Sequence, residues 1–457
     1  MSLDLGGSGT ERPLQGKGEL VEWLRGGEKP AAEWRVGVEH EKIGVTAAGG
    51  PVPYAGSAGI RALLEALARA TPGAKLHSED GNPIAVLHGQ ASVTLEPGGQ
   101  LELSGAPVHS LAAAAEEIAQ HLAAVASASK PLGLRWLMLG YRPWGTPATA
   151  EWMPKLRYNE MRRSLSPRGR LAQDMMLMTA TVQANLDWSD ERDLAEKVRA
   201  ATLTSPLVTA LFSNSPLVDG QESGYADFRY QVWRETDPAR CGLLEQMTRP
   251  DWGYQSYVEW ALDVPLLFAR RDGRYLDGGG ITFRDWMARG ALGGEAYRPT
   301  LTNFTDHLTT LFPEVRVKRV LELRGADCVP MPLLMSLPAL WMGLLYDQEA
   351  RRGAIALTSG WSFAELLELQ VQVARLALAA PLPRGKGTAL DLVRELLDLA
   401  RGGLGRWAAV SGSDERSFLE PALELAAGGV ALSEKLLLSW KGENREAAAV
   451  INSSDIA

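Results

Sequence analysis

The sequence predicts an α+β fold built on an antiparallel sheet, followed by a mostly helical C-terminal part. Three observations carry this. Helical and extended patterns are interspersed without a regular βαβ alternation, which disfavours a parallel doubly wound sheet. From about residue 335 the period is helical almost throughout, over 335–349, 361–379, 389–402, 415–427 and 432–440, with Gly- or Pro-bearing turns between. Four extended segments each carry one polar and one apolar face, the pattern of half-buried strands.

In chain order, residues 1–16 are Gly- and Ser-rich without an apolar run and read as a flexible tail, not a signal peptide. Residues 17–457 read as a single domain, with a sheet-bearing core over 17–334 and the helical part over 335–457. Short helices are expected over 17–26, 57–70 and 109–128. Between the first two, residues 36–45 alternate as a strand carrying Glu39 and Glu41 at i and i+2, so both carboxylates share a face about 7 Å apart. Such a pair fits either a solvated strand face or a site for a hard cation such as magnesium.

Further carboxylates favour the second reading. In Thr94–Ser104 a Pro97-Gly98-Gly99 kink separates two short extended pieces, with Glu96 before it and Glu102 after it. Met178–Asp187 alternates Thr179, Thr181, Gln183, Asn185 and Asp187 against apolar partners, and a helix over 190–213 opens on the capping sequence Ser189-Asp-Glu-Arg192. In Val315–Arg324 the residues Arg316, Lys318, Glu322 and Arg324 oppose valines and leucines, so a carboxylate stands among cations. Four strands with polar faces imply a sheet whose open side is a wet, metal-bearing cavity, because a face covered by helices would be apolar.

Composition narrows the partners. The chain of 457 residues has a net charge of −8, which disfavours nucleic-acid binding and points to small molecules. No apolar run is long enough to span a membrane. Two cysteines, Cys241 and Cys328, imply no disulfide framework and fit a reducing cytoplasm. There is no Gly-x-x-x-x-Gly-Lys-[Ser/Thr] loop, so phosphate recognition would fall to metal ions and to cations such as Lys155, Arg157, Arg162, Arg163, Arg168 and Arg170. His40 and His307 have no close ligand spacing, and Trp144, Trp152, Trp233 and Trp252 read as core or cavity wall.

Five motifs then match one family. Val36-Gly-Val-Glu-His-Glu-Lys42, Leu95–Pro107, Met153-Pro-Lys-Leu-Arg-Tyr158, Asp174–Asp187 and Phe312–Asp327 closely resemble the plant-type glutamate–cysteine ligases, found also in bacteria. The resemblance runs from about residue 18 to about 440. It implies a glutamine-synthetase-like fold with a funnel-shaped site, and ATP-dependent joining of the glutamate γ-carboxylate to cysteine through γ-glutamyl phosphate, the first step of glutathione synthesis. It further implies that Glu39, Glu41, Glu96, Glu102 and Glu322 hold Mg2+, that Lys155, Arg157 and Gln183 contact ATP, and that Arg229, Trp233 and Arg240 contact the amino-acid substrate. Arg324 is the candidate for stabilising the transferring phosphoryl group. The resemblance leaves open a monomer or a homodimer.

Two departures stand out. The regulatory cysteine pair of plant members corresponds to Ala180 and Met335, so redox control through that disulfide is not expected. After Asp327 the family continues Gly-Gly-Pro-Trp-Arg-Arg, whereas this chain reads Cys328-Val-Pro-Met-Pro-Leu-Leu334. Two other activities therefore stand beside the leading one: a γ-glutamyl ligase with a different amine acceptor, and a non-catalytic binder of glutamate or nucleotide.

Overall fold

The computed structural model describes residues 12–385 and 387–442; most of the expected N-terminal tail falls outside them, as does the segment after 442. Among the described residues, nine strands form one antiparallel sheet. They are β1 (Val36–Thr46), β2 (Lys75–Glu79), β3 (Asn82–His88), β4 (Ala91–Leu95), β5 (Leu101–Ser104), β6 (Leu134–Leu137), β7 (Thr181–Leu186), β8 (Val315–Val317) and β9 (Leu321–Asp327). Their order is β8-β9-β7-β1-β5-β4-β3-β2, with β6 paired to the far end of β1. Register fixes the chemistry, because residues directly opposite on neighbouring strands point to the same face. Glu39 lies opposite Ser104 on one side and Gln183 on the other, Glu41 opposite Glu102, and Glu322 opposite Asn185.

The helices are α1 (Lys17–Arg25), α2 (Ile60–Ala70), α3 (Leu111–Ser129), α4 (Leu156–Leu165), α5 (Ala172–Met178), α6 (Glu191–Leu211), α7 (Phe228–Arg234), α8 (Tyr254–Asp263), α9 (Phe283–Arg289) and α10 (Leu301–Leu308). They continue with α11 (Leu333–Leu345), α12 (Gln348–Thr358), α13 (Phe363–Leu376), α14 (Ala389–Ser411), α15 (Glu420–Gly428) and α16 (Leu432–Gly442). Val36, Val38, Leu103, Val182, Ala184, Leu321 and Leu323 form the apolar face of the sheet and pack into one core with α3, α6 and α11. Every residue of α11 is buried, as expected of a helix apolar on all sides. One sheet face is thus sealed by helices, which leaves the carboxylate-bearing face for the site.

Several sequence expectations shift in detail. Val315–Arg324 is a hairpin and not one strand: the adjacent polar residues Lys318 and Arg319 break the alternation and form its turn, and Arg316 then faces Glu322 across it. Met178 ends α5, and the expected strand starts at Thr181. The helix expected over 335–349 is two, separated where Asp347 caps α12 by accepting from Ala350 N at 2.8 Å. Helix α14 runs past the glycines at 402–403 to Ser411, because α11 and α14 approach so closely that a Cβ on Gly403 would sit 1.9 Å from the Gly343 carbonyl oxygen. Helices α4, α5 and α7–α10 and strands β2, β3 and β6 lie outside the elements expected from sequence.

Candidate active site

Two spaces lie side by side on the polar face. An inner cavity is lined by Glu41, Glu96, Gln100, Thr181, Gln183, Arg229, Trp233, Phe312, Arg316 and Arg324. Beside it a larger cleft of about 750 Å3 is lined by Glu39, Ser92, Ser104, Asn185 and Asp187, together with the cations Lys29, Arg35, Lys75 and Lys318. Glu39 and Glu41 stand on the same strand face, one lining each space, so β1 forms the divide.

The acidic half is set by β1 and the β4–β5 turn. Glu41 and Glu102 are directly opposite, an arrangement in which like charges repel. Glu102 accepts from Thr94 Oγ1 at 2.9 Å and Ser104 Oγ at 3.2 Å, and Glu41 accepts from Thr181 N at 3.1 Å. Burial pushes the Glu96 carboxyl up to about 7, and the Glu102 charge adds to it. Glu41 lies well above the ordinary range through burial and through Glu96 and Glu102. One oxygen of Glu96, Oε1, is buried without a hydrogen-bond partner. The turn carrying Glu96 is held tightly: Gly99 has φ +82°, and a Cβ on Gly98 would sit 2.2 Å from the Leu177 carbonyl oxygen. Gly98→Ala is therefore expected to cost about 1–3 kcal/mol, read as a lower urea midpoint. An unchanged midpoint would mean that the turn has room to move.

The basic half is set by the β8–β9 hairpin and α7. Glu322 is fully buried and takes ion pairs from Arg316, from Lys318 at 2.7 Å and from Arg324. Burial would raise its pKa, but Arg316, Lys318 and Arg324 together hold it well below the carboxylate range. Arg229 donates to the Arg324 carbonyl at 3.1 Å, and both guanidinium groups stand 5.8 Å from the Trp233 ring centre. Gln183 joins the halves: its Nε2 donates to Glu39 Oε2 at 3.2 Å and its Oε1 accepts from Arg324 Nη1 at 2.6 Å. Asn185 Nδ2 donates to the other Glu39 oxygen at 3.1 Å.

The residues present fit a hard divalent cation. Glu41, Glu96 and Glu102 supply only oxygen donors, burial and their mutual repulsion raise Glu41 and Glu96 while Lys155 and the Thr94 hydrogen bond help hold Glu102 low, and Glu96 offers an unused oxygen. Among the described residues no three acidic, histidine or cysteine side chains stand together closely enough to hold one ion.

Comparison with known proteins settles the family. The glutamate–cysteine ligase family 2 (GCS2) model matches residues 35–450. The chain belongs to this family. It is 39% identical over 422 residues to the chloroplastic glutamate–cysteine ligase B of Oryza sativa subsp. japonica, a match covering 92% of this chain and 83% of that protein. It is also 39% identical over 428 residues to the chloroplastic enzyme of Arabidopsis thaliana, covering 93% and 80%. The glutamate–cysteine ligase of Francisella tularensis, solved in complex with AMP, shares the fold with TM-score 0.58 at 12% identity over 92% of this chain and 87% of that one.

Against the family motifs, the structure gathers Glu41, Glu96, Gln183, Arg229, Trp233 and Arg324 around the inner cavity and places Glu39 in the cleft. Lys155 lines neither space; its ammonium donates to the Leu95 carbonyl at 2.7 Å, next to the turn that bears Glu96. Arg157 donates to Thr309 Oγ1 at 3.1 Å and covers the Phe268 ring. Arg240 is fully buried and donates to Asp237 at 2.7 Å and to the carbonyls of Thr310 and Pro265, away from both spaces. The remaining cations of the 155–170 cluster pair with Trp152, Glu160, Asp237 and Glu235. Lys29, Arg35 and Lys75, which do line the cleft, are scattered in sequence and carry no motif of their own. The departing segment 328–334 lines neither space; Cys328 packs against His40 on the helix-covered side, with Sγ 3.5 Å from Nε2. Cys241 and Cys328 are both free thiols.

Proposed function

We propose that the protein is a Mg2+- and ATP-dependent glutamate–cysteine ligase forming γ-glutamylcysteine by way of γ-glutamyl phosphate, the first step of glutathione synthesis. The observation that carries this is the divide itself: carboxylates on β1 and the β4–β5 turn stand between an inner cavity walled by Arg229, Trp233 and Arg324 and a cation-lined cleft large enough for a nucleotide. Bringing the glutamate γ-carboxylate onto the ATP γ-phosphorus sets anion against anion, and bound Mg2+ supplies the charge neutralisation and polarisation that this needs. Glu41, Glu96 and Glu102, with Glu39 on the cleft side, would hold the ions. Lys29, Arg35, Lys75 and Lys318 supply positive charge along the cleft for the phosphate chain.

Arg324, fixed by Gln183 and Glu322, presents a guanidinium to the transferring phosphoryl group. Arg229 and Trp233 offer a planar cation and an aromatic wall, the surfaces that an α-carboxylate and a substrate stem require. Glu322 was placed in the metal set by resemblance; with Arg316, Lys318 and Arg324 upon it, we assign it to fixing those cations. A reducing, cytoplasmic setting goes with this reading and accords with two free thiols; the plant relatives are described as chloroplastic. Among the described residues no helix is long and apolar enough to cross a membrane.

The test is phosphate release from MgATP with glutamate, with and without cysteine, followed by mass analysis. Cysteine-dependent release with γ-glutamylcysteine as product is the expected outcome. Release without preference for cysteine would indicate another acceptor, and no release with any pairing would leave a binding protein. The first alternative drew on the 328–334 segment, which lies away from both spaces.

A further inference from the structure

We propose that Glu314 is the base that removes a proton from the ammonium group of the acceptor amino acid before it attacks γ-glutamyl phosphate. The proposal rests on the ligase reading above. An amino acid arrives at neutral pH as an ammonium ion without a lone pair, so amide formation needs a proton acceptor near the phosphorylated carboxyl. None of the carboxylates assigned to cations is free for that task.

The geometry points to a small second cavity. It shares Arg229, Trp233, Phe312 and Arg324 with the inner cavity, and Glu314 and Gly325 are part of its wall. It encloses about 20 Å3, room for one water-sized or ammonium-sized group and not for a whole amino acid. Glu314 is 8% exposed. Its Oε1 accepts from Gln370 Nε2 of α13, whereas Oε2 makes no hydrogen bond of proper geometry and lies 3.0 Å from where a Cβ on Gly325 would be. A buried carboxylate oxygen without a partner is costly, and it is retained where it has a proton or ligand to meet.

The groups facing Glu314 are Arg229 and Tyr230 of α7, Asp227 before that helix, Ser205 of α6, Gln370 of α13 and, across the cavity, Arg324. Burial pushes Glu314 up to about 7, with Gln370, Arg229 and Ser205 lowering it and Asp227 raising it. A carboxylate so placed is matched to proton transfer at neutral pH. In the step, Glu314 accepts one proton from the ammonium group. The freed nitrogen attacks the γ-carbonyl carbon, the C–N bond forms, and the C–O bond to phosphorus breaks with its electron pair leaving on phosphate. The second nitrogen proton leaves with phosphate, and Glu314 returns its proton to solvent.

The test uses the full chain with MgATP and glutamate. Glu314→Gln keeps the shape and the Gln370 contact. Its turnover with cysteine is expected to fall about 100-fold or more. Its phosphorylation of glutamate, followed by scrambling of 18O between bridging and non-bridging positions of ATP, should continue. Hydroxylamine, largely neutral at pH 7 and needing no base, should restore amide formation. Cysteine turnover that survives the substitution overturns the proposal, as does loss of the hydroxylamine reaction together with the cysteine one. Should that variant not fold, Gln370→Leu removes a hydrogen bond that lowers the Glu314 pKa and is expected to move the acid limb of kcat to higher pH; an unmoved limb overturns the proposal. Failure of the ligase reading is distinct, because wild-type protein would then scramble no label and form no amide with either acceptor.

Discussion

Replacing Glu96 by Gln is expected to lower ligase turnover roughly a thousandfold, equivalent to about 4 kcal/mol of transition-state stabilisation, and at the same time to stabilise the metal-free protein. The two effects share one cause. Burial and the Glu102 charge hold the folded Glu96 carboxyl near 7 against an ordinary 4.5, so ionising it at neutral pH works against folding. Relief of that repulsion is worth about 1–3 kcal/mol. The sign follows from linkage. Between pH 4.5 and 7 the folded state holds more of this proton than the unfolded chain, so the contribution is full below about 4.5 and is lost as pH rises through about 7. Thermal midpoints in chelator should therefore fall from pH 5 to pH 7.5 more steeply in wild type than in Glu96→Gln, and Mg2+ should restore the wild type alone. A variant less stable than wild type in chelator at neutral pH would show that Glu96 serves the fold and not a cation.

Glu322→Gln is expected to act with the opposite sign. Glu322 is the shared anion of Arg316, Lys318 and Arg324, and its removal leaves three cations crowded at the base of the β8–β9 hairpin. Breaking a buried ion pair from one side costs about 3–5 kcal/mol, because the orphaned charge stays desolvated. The urea midpoint should drop accordingly, with or without Mg2+, and the added substitution Arg316→Met should recover part of the loss. A stability gain in chelator like that expected of Glu96→Gln would instead return Glu322 to the metal set. The two variants together separate carboxylates that wait for a cation from one that already has its cations.

Much of this site was legible in sequence because strand periodicity is local. The alternation in 36–45 put Glu39 and Glu41 on one face, and the kink between Glu96 and Glu102 marked a turn that the Gly98 and Gly99 geometry requires. Glu314 and Asp227 offered no such signal, because each sits beside an element and not within its periodic face. The basic run at 155–170 looked like a phosphate site by composition, yet its members are spent on neighbouring carboxylates, rings and carbonyls, while the cations on the cleft come from distant stretches of chain.

The sequence by itself determined the class of fold, the polar strand faces, the helical C-terminal part and the family, because these depend on patterns within a few residues or on long ordered motifs. The tertiary structure decided which carboxylates repel one another and which are neutralised. Glu41 meets Glu102, and Glu322 meets Arg316, only through antiparallel register. Charge state depends on burial and on neighbours brought from far along the chain, and neither is written at the position of the residue itself.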